Sequence, residues 1–482
     1  MHEGNGIDRR GLMATLAAGA AAIAAPTGAQ SATSRKRYGI VGVGSRSRMY
    51  QDAIWGPHKD TAELVAICDT NPGRAAYVAR RARQAGAKAP ASYLHTDFDK
   101  MVREADLDGL IVTVPDALHD DYIVRGLDAG LDVITEKPMT TDASKAQRIL
   151  DACRRNGRQV RVTFNYRYSP FRTQVKELLM AGEIGDVLSV DFSWLLNTVH
   201  GADYFRRWHS NKAMSGGLMV HKATHHFDLV NWWLSAMPVS VTAAGKREFY
   251  TPTMARRLGL QGPHQRCLTC PEKTKCSFYL DIAADAGLKA LYLDNERYDG
   301  YFRDQCVWRE EISIEDTMNV VVGYDTGATL SYSLNACNAW EGYHVAFNGT
   351  KGRLEHSLVE SGGTAGANNA DEAPDRATTR IIPLRGQPRE ITPRTGAGSH
   401  SGGDAVMLND IFGTPAPDPT MRAADQRGGA ASALIGIAAN QCFRTGMPVK
   451  IADLVTGLER PNLPAMPTRA DPVPMPPRMT HA

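Results

Sequence analysis

The first third of the sequence predicts an α/β fold built on a doubly wound parallel sheet. Residues 37–41 form a short apolar segment that runs into Gly42 and Gly44, as a buried strand entering a tight turn does. Helix-like stretches separate three further apolar segments, 62–69, 109–114 and 131–135. Strands that alternate with helices at this spacing form a parallel sheet with helices on both faces.

Length and composition predict two domains. A chain of 482 residues is too long for one ordinary core. Its 43% hydrophobic and 22% charged residues are typical of a globular protein, and a net charge of +3 does not indicate a nucleic-acid partner. No apolar run reaches the roughly 18 to 20 residues of a membrane span. We place a sheet-containing domain at 35–157, a second domain at 158–455 and a Pro-rich tail at 456–482.

The two ends of the chain differ from the rest in composition. Arg9-Arg10 precedes an Ala-rich, weakly apolar run over 14–25, and small residues follow Pro26. This pattern is typical of a signal peptide and favours the twin-arginine route to the periplasm, so we assign 1–32 to it. A disordered basic tail is the alternative. The prolines of the C-terminal tail cannot join a helix, and we expect them to pack on the chain's surface or on a neighbouring subunit of a homo-oligomer.

The glycine turn predicts a dinucleotide site. Gly42 and Gly44 permit a tight turn and a close approach of the backbone to a pyrophosphate. Ser45 and Arg46 then lead into a helix, whose free N–H groups favour an anion. Ser47 stands where the third glycine of the G-x-G-x-x-G fingerprint is expected. Serine is small enough for close packing, but the replacement makes the motif less specific.

Asp69 ends the second predicted strand, 25 residues after Gly44. A carboxylate there accepts the hydroxyls of an adenosine ribose and repels a 2′-phosphate, which favours NAD over NADP. The alternative role for Asp69 is that of a helix N-cap before Thr70-Asn71-Pro72. Because Arg74 is nearby, NADP is the alternative cofactor. We also expect residues at the carboxyl ends of the next two strands to contact the cofactor: Thr113, Val114, Pro115 and His119 at one, Glu136 and Lys137 at the other.

With these motifs the chain resembles the Gfo/Idh/MocA family of NAD(P)-dependent oxidoreductases. The resemblance rests on Gly42-x-Gly44, Asp69, segment 113–119 and above all Glu136-Lys137-Pro138, and it continues through 165–168 to 216–228. Family members include glucose–fructose oxidoreductase, which is itself exported by the twin-arginine route. The resemblance implies a Rossmann domain followed by an α+β domain with an open, mostly antiparallel sheet. It also implies that Lys137 bonds the reacting hydroxyl and that a cis peptide precedes Pro138.

Two histidines are candidates for proton transfer in the second domain. Segment 217–234 is predicted to be one helix with His221, His225 and Asp228 on one face. Oxidation of an alcohol needs a base for the hydroxyl proton, and histidine suits this near neutral pH. By the resemblance, His225 is that residue, and His221 stands where the family has an aspartate. Binding of a divalent metal by this group and purely structural roles are the alternatives.

Polar and aromatic side chains of the second domain suit a carbohydrate substrate. Lys222 adds positive charge, and His400 or Asp404 is expected to close the pocket. The predicted substrate contacts are Tyr166, Arg167, His200, Trp208 and Lys222. For each of the loop residues among them, an ordinary surface position is the alternative.

Four cysteines fall in or beside an excursion at about 251–310. Cys267, Cys270 and Cys276 form a C-x2-C-x5-C pattern, and Cys306 can supply a fourth ligand. Close thiolate pairs of this kind hold structural zinc. Disulfides, natural in the periplasm, and free thiols are the alternatives.

Three functions follow from these residues. The leading hypothesis is reversible oxidation of a sugar, polyol or glycoside hydroxyl by bound NAD(H). The second is redox-assisted hydrolysis or elimination of a glycoside, in which the cofactor is reduced and then oxidised again within the site. The third is a non-catalytic NAD sensor, against which Lys137 and His225 argue, since a sensor needs no proton relay.

Overall fold

The computed structural model describes residues 35–361, 377–396, 398 and 400–478. The predicted signal peptide at 1–32 lies outside these residues. Among the helices of the described ranges, none combines the length and apolar character needed to cross a membrane.

Within the described residues, six strands form a parallel sheet in the order β3-β2-β1-β4-β5-β6. The strands are β1 (Lys36–Val41), β2 (Ala62–Asp69), β3 (Ala91–Leu94), β4 (Gly109–Val112), β5 (Asp132–Thr135) and β6 (Val160–Val162). The helices between them are α1 (Ser47–Trp55), α2 (Pro72–Gln84), α3 (Phe98–Glu104), α4 (His119–Asp128) and α5 (Ala143–Asn156). This strand order is that of a dinucleotide-binding Rossmann domain, whose ligands bind at the carboxyl edge of the sheet. The predicted doubly wound sheet is confirmed.

A second sheet has the order β14-β13-β12-β11-β7-β10-β9-β8-β15 in the part of the chain that the structure describes. Its strands are β7 (Val187–Asn197), β8 (Pro238–Lys246), β9 (Thr317–Tyr324), β10 (Thr329–Asn338), β11 (Glu341–Gly349), β12 (Gly352–Ser361), β13 (Ala377–Pro383), β14 (Arg389–Ile391) and β15 (Val449–Lys450). Neighbours pair antiparallel except β7 and β10, which are parallel. The open, mostly antiparallel sheet implied by the family resemblance is therefore present.

Helices pack around this second sheet and between it and the first. They are α6 (Pro170–Met180), α7 (His200–Arg206), α8 (Lys212–Ser215), α9 (Gly217–His221), α10 (Thr224–Leu234), α11 (Pro252–Arg257), α12 (Ala286–Leu291), α13 (Glu296–Asp299), α14 (Gly403–Phe412) and α15 (Gln426–Thr445). The largest buried cluster runs without a break from Val41 in β1 through Trp232 in α10 to Leu434 in α15. Both sheets thus share one apolar core.

The single helix predicted over 217–234 is wrong. A turn at Lys222 and Ala223 separates α9 from α10. The backbone of α9 lies against α15, where a Cβ on Gly436 would come within 2.3 Å of the carbonyl oxygen of Met219. The turn divides the predicted helix into two shorter ones.

Candidate active site

The glycine turn brings the end of β1 against the end of β4. Gly42 has a φ of +83°, a conformation that favours glycine. A Cβ at this position would lie 2.7 Å from the backbone nitrogen of Val114, so any side chain would collide with the neighbouring strand. Ser47 supports the turn, since its hydroxyl donates to the carbonyl of Gly44 at 2.7 Å. The residues present therefore fit the close backbone approach that a dinucleotide requires.

Asp69 is tied to the glycine turn and to the start of α2. Its Oδ2 accepts from the backbone nitrogen of Val43 at 2.7 Å, and its Oδ1 accepts from that of Asn71 at 2.8 Å. Asn71, rather than Asp69, caps α2, because its side chain accepts from the backbone nitrogens of Gly73 and Arg74. The N-cap alternative for Asp69 is thus wrong, and its carboxylate lies at the cavity where a ribose is expected.

One cavity of about 590 Å³ lies at the carboxyl edge of the parallel sheet and extends to helices and loops that follow β6 in the chain. On the nucleotide side it is lined by these predicted residues: Gly42, Gly44, Ser45, Arg46, Asp69, Thr113, Val114, Pro115, His119, Glu136 and Lys137. On the other side it is lined by Tyr166, His200, Trp208, His221, Lys222 and His225. The structure thus assembles the predicted cofactor and substrate residues around a single space, apart from Arg167.

Lys137 projects from the end of β5 beside α9. The peptide bond to Pro138 is cis, as the family resemblance implies. The Nζ of Lys137 donates to the carbonyl oxygen of His221 at 3.1 Å and lies 3.4 Å from the Nε2 of the same residue. Burial lowers the pKa of Lys137 to about 8, although the charges of Asp116 and Glu136 act in the opposite direction.

His119 and Glu136 hold the loops on either side of Lys137. The ring nitrogens of His119 lie 2.8 Å from the carbonyl oxygen of Pro138 and 2.9 Å from that of Val114. Glu136 accepts from the Nε of Arg46 at 2.8 Å and from the hydroxyl of Tyr50 at 2.7 Å. These bonds fix the ends of β4 and β5 with respect to α1.

His221 and Asp116 form a buried pair next to Lys137. The Nδ1 of His221 lies 2.5 Å from Oδ2 of Asp116. Because Lys137 faces Nε2 as a donor, we infer that Nδ1 carries the proton and donates it to the carboxylate. Burial, aided by the charges of Lys137 and Arg207, lowers the pKa of His221 well below its usual value. The neutral imidazole, with Nε2 as an acceptor, is the form that fits this arrangement.

His225 lies against an aromatic wall and forms no hydrogen bond with Lys137 within the described part of the chain. Its ring stacks on Tyr166 with centroids 4.2 Å apart and planes 13° from parallel. Within the described part of the chain, its Nδ1 is buried without a hydrogen-bond partner. Burial and the charges of Lys137 and Lys222 lower its pKa well below the usual value. Of the two candidate histidines, His221 is the one that bonds to Lys137.

A polar network lines the side of the cavity opposite Lys137. Lys222 donates to the Tyr166 hydroxyl at 3.2 Å, and its ammonium lies over the Trp194 ring at 4.5 Å. His200 bonds Glu341 through Nδ1 at 2.7 Å and the Tyr204 hydroxyl through Nε2 at 3.0 Å. Stacked rings and hydroxyls with free hydrogen-bonding capacity suit a polyhydroxylated ligand.

Arg167, a predicted substrate contact, does not line the cavity. Its guanidinium makes a bidentate ion pair with Asp228, at 2.7 and 2.5 Å. Both side chains are almost fully buried, with 3% and 1% of their surface exposed. Both carboxylate oxygens of Asp228 bond Arg167, so Asp228 cannot join His221 and His225 in a metal site. Among the described residues, no group of three or more His, Cys, Asp or Glu side chains is arranged to hold a metal.

Because no such metal-binding group exists among the described residues, support for a structural zinc at the cysteines is also removed. Cys267, Cys270, Cys276 and Cys306 all line one small cavity of about 20 Å³, but all are free thiols. Ion pairs of Arg266 hold this part of the excursion: its Nη2 lies 2.6 Å from Asp304 and 2.7 Å from Glu296. Within the described residues, none of the four cysteines forms a disulfide.

Several cavity residues were not singled out from the sequence. Asp116 follows Pro115 at the carboxyl end of β4, a position that could have marked it as a ligand-side residue. Others come from distant loops and give no local signal: Tyr204, Met214, Tyr292, Asp299 and Tyr301. His400, which was expected to close the pocket, does line it, and it bonds Asp404 at 2.9 Å.

Comparisons with known proteins agree with this architecture. A family model described as an oxidoreductase family, NAD-binding Rossmann fold, matches residues 36–164, and its C-terminal alpha/beta partner matches residues 176–451. YteT of Bacillus subtilis (strain 168), named as an oxidoreductase, is 39% identical over 357 residues, which are 73% of this chain and 82% of that protein. An inositol 2-dehydrogenase of Rhizobium meliloti (strain 1021) is 30% identical over 207 residues, 43% of this chain and 57% of that enzyme.

Solved structures share the fold. The aldose-aldose oxidoreductase from Caulobacter crescentus, complexed with glycerol, matches with a TM-score of 0.56 at 18% identity, over 86% of this chain and 99% of that one. The WlbA dehydrogenase from Bordetella pertussis, in complex with NADH and UDP-GlcNAcA, matches with a TM-score of 0.56 at 21% identity, over 86% and 98%. At these identities the likeness shows the fold alone.

Proposed function

The chain belongs to the Gfo/Idh/MocA family of NAD-binding oxidoreductases, and on that premise we propose that it reversibly oxidises a hydroxyl of a sugar, polyol or glycoside. The observation that carries the proposal is the position of Lys137, bonded to His221 inside the cavity that also contains the glycine turn. The carbohydrate class is supported by the inositol 2-dehydrogenase relative and by the aromatic, polar wall around Tyr166.

The cofactor we propose is NAD. The glycine turn and the residues at the ends of β4 and β5 would hold its pyrophosphate and nicotinamide halves, and Asp69 would accept its adenosine ribose hydroxyls. When bound, NAD would supply the hydride acceptor for the carbon that carries the reacting hydroxyl. The chain's own residues then have to place that hydroxyl and receive its proton.

Lys137 is the proton acceptor in this proposal. A neutral amine has two N–H donors and one lone pair, and the carbonyl and Nε2 of His221 take up the two donors. The lone pair is then left for the hydroxyl proton. A pKa of about 8 makes the neutral amine accessible near neutral pH, as a general base requires. Asp116 acts as a positioning residue, because its bond to Nδ1 keeps Nε2 of His221 an acceptor.

The remaining cavity residues form the substrate wall. Tyr166 and Trp208 present aromatic faces, and Lys222 and His200 present polar groups that their neighbours hold in place. We assign His225 to this wall rather than to the proton relay, since it stacks on Tyr166 and does not bond Lys137.

We also propose that the chain is a periplasmic homo-oligomer exported by the twin-arginine route, on the basis of Arg9-Arg10 and the proline-rich tail. Export of a folded protein would carry a tightly held cofactor with it, as the resemblance to glucose–fructose oxidoreductase implies. Replacement of both arginines by lysine should leave the protein in the cytoplasmic fraction. Export that continued unchanged would contradict this route.

The function is tested by incubating the purified protein with a panel of monosaccharides, polyols and aryl glycosides. NADH absorbance and released aglycone are followed separately. Net NADH without cleavage supports the dehydrogenase, whereas cleavage without net NADH identifies redox-assisted hydrolysis or elimination. Retained nucleotide with neither reaction identifies a sensor. Lys137→Met should abolish turnover, and Lys100→Met, on the exposed face of α3, should not; full activity of Lys137→Met would refute the proposed site.

A further inference from the structure

Arg74, near the start of α2, lies between two carboxylates from different parts of the chain. Its Nη2 is 3.1 Å from Oδ1 of Asp69 and 2.6 Å from Oδ2 of Asp299. Asp299 belongs to α13, in the excursion 225 residues further along the chain. The side chains of Arg74 and Asp299 are only 11% and 18% exposed, and both residues line the cavity.

Several contacts fix the excursion against the nucleotide side of the cavity. The Ser45 backbone nitrogen donates to the Tyr292 hydroxyl at 3.0 Å, and the side-chain amide of Asn71 donates to the carbonyl of Asn295 at 2.9 Å. The second carboxylate oxygen of Asp299 accepts from its neighbour, the Tyr301 backbone nitrogen, at 3.2 Å. Asp299 is thus held in one position beside the end of β2 and is not a mobile surface acid.

An arginine next to the acid at the end of β2 is the group that accommodates the 2′-phosphate of NADP. In this chain the guanidinium is already engaged by two carboxylates. Burial alone would lower the pKa of Arg74, but Asp69 and Asp299 raise it, so the group stays charged and paired. A 2′-phosphate would have to break the pair with Asp299 and then lie next to a bare carboxylate, which repels it.

We propose that Asp299, which the excursion contributes to the nucleotide site, is a cofactor-specificity residue. By pairing with Arg74, it makes the chain select NAD over NADP. The inference deepens the proposed function and rests on it. It gives the excursion a role, because the excursion then supplies a wall of the adenosine pocket. It also predicts that Arg74 alone does not confer NADP binding.

The test compares equilibrium binding of NAD+ and NADP+ by isothermal titration calorimetry. Asp299→Asn keeps the shape and the bond from Tyr301 but removes the charge. We expect it to raise the affinity for NADP+ relative to NAD+ by about tenfold or more, because one repelling charge is lost and one charge-assisted donor is freed. The matched control is Asp294→Asn, an acid of the same excursion that is 50% exposed and pairs with Lys289; it should leave the ratio unchanged.

The double variant Arg74→Ala, Asp299→Asn shows whether the effect acts through Arg74. We expect it to lose the gain in NADP+ affinity, which makes the two substitutions non-additive. An unchanged ratio in Asp299→Asn, an equal change in Asp294→Asn, or a gain that survives removal of Arg74 would each overturn the inference while the proposed function stands. Failure of the unmodified chain to bind either dinucleotide would overturn the proposed function itself, and the inference with it.

Discussion

Oδ2 of Asp116 lies 2.5 Å from Nδ1 of His221, although 105 positions separate the two residues in the chain. The pair joins the loop after β4 of the first sheet to the short helix α9, which packs on α15. The other ring nitrogen of His221, Nε2, faces Lys137. A carboxylate, an imidazole and an amine are therefore aligned toward the cavity, and this alignment leads to the predictions that follow.

Asp116→Asn should impair catalysis and leave nucleotide binding intact. An amide in this position can donate to Nδ1, which moves the imidazole proton to Nε2 and turns the acceptor of Lys137 into a donor. We expect kcat to fall about 100-fold, within the range of a disturbed acid–base step, with an unchanged dissociation constant for NAD+. Asp121→Asn, a half-exposed acid of α4 that pairs with Arg125, is the control. A parallel loss of nucleotide binding would show that Asp116 is merely structural.

The pH dependence of the reaction should follow Lys137. Oxidation needs the neutral amine, so kcat/KM for the alcohol should rise with pH and level off above the Lys137 pKa of about 8. Reduction of the ketone needs the protonated amine and should fall over the same interval. His221 adds no second inflection near neutrality, since burial holds its pKa well below the usual value. Profiles measured in both directions at constant ionic strength check this, and an alcohol profile that falls with pH would contradict it.

The two histidines should differ in the kinetic constant that they affect. His221→Asn removes the acceptor next to Lys137, and we expect it to lower kcat about 100-fold. His225→Asn removes a ring stacked on Tyr166, and it should mainly raise KM for the sugar. Steady-state kinetics of the two variants on one substrate distinguish these effects. The reverse pattern would return the proton relay to His225, as the family resemblance implies.

Much of the nucleotide side was predictable because its signals are local. Position 42 requires glycine because its φ is positive and because a side chain would collide with the end of β4. Asp69 and Lys137 follow apolar strands of one parallel sheet, so both lie at its carboxyl edge. The strand order and the cis bond before Pro138 agree with the sequence pattern and the family resemblance. The glycine turn and the residues at the strand ends depend on backbone geometry within a few residues, so short sequence motifs predict them.

The rest of the site depends on contacts between distant segments. Nothing near Asp116 shows that its partner is His221, and nothing near Asp299 shows that it reaches Arg74. The apolar pattern is continuous in the sequence, but a turn at Lys222 interrupts the helix. We attribute this turn to packing on α15 and not to local propensity. A helical pattern therefore located the histidines but not the turn between them.

The buried pair of Arg167 and Asp228 should contribute to folding and not to chemistry. Its bidentate bonds and almost complete burial mean that loss of one partner leaves an uncompensated charge in the core. Asp228→Asn should lower the free energy of unfolding by about 3 to 5 kcal/mol, measured by urea denaturation of the full chain. Asp99→Asn, which breaks the exposed pair with Arg125, should cost no more than about 1 kcal/mol.

A second pair of variants separates this structural role from a catalytic one. Replacing both partners, as Arg167→Met with Asp228→Leu, removes both buried charges and should recover most of the lost stability, since apolar side chains of similar size can fill the space. Turnover of this double variant should stay close to that of the unmodified chain, because neither side chain lines the cavity. If stability recovered while kcat stayed low, Arg167 would act in the reaction after all, as the sequence first indicated.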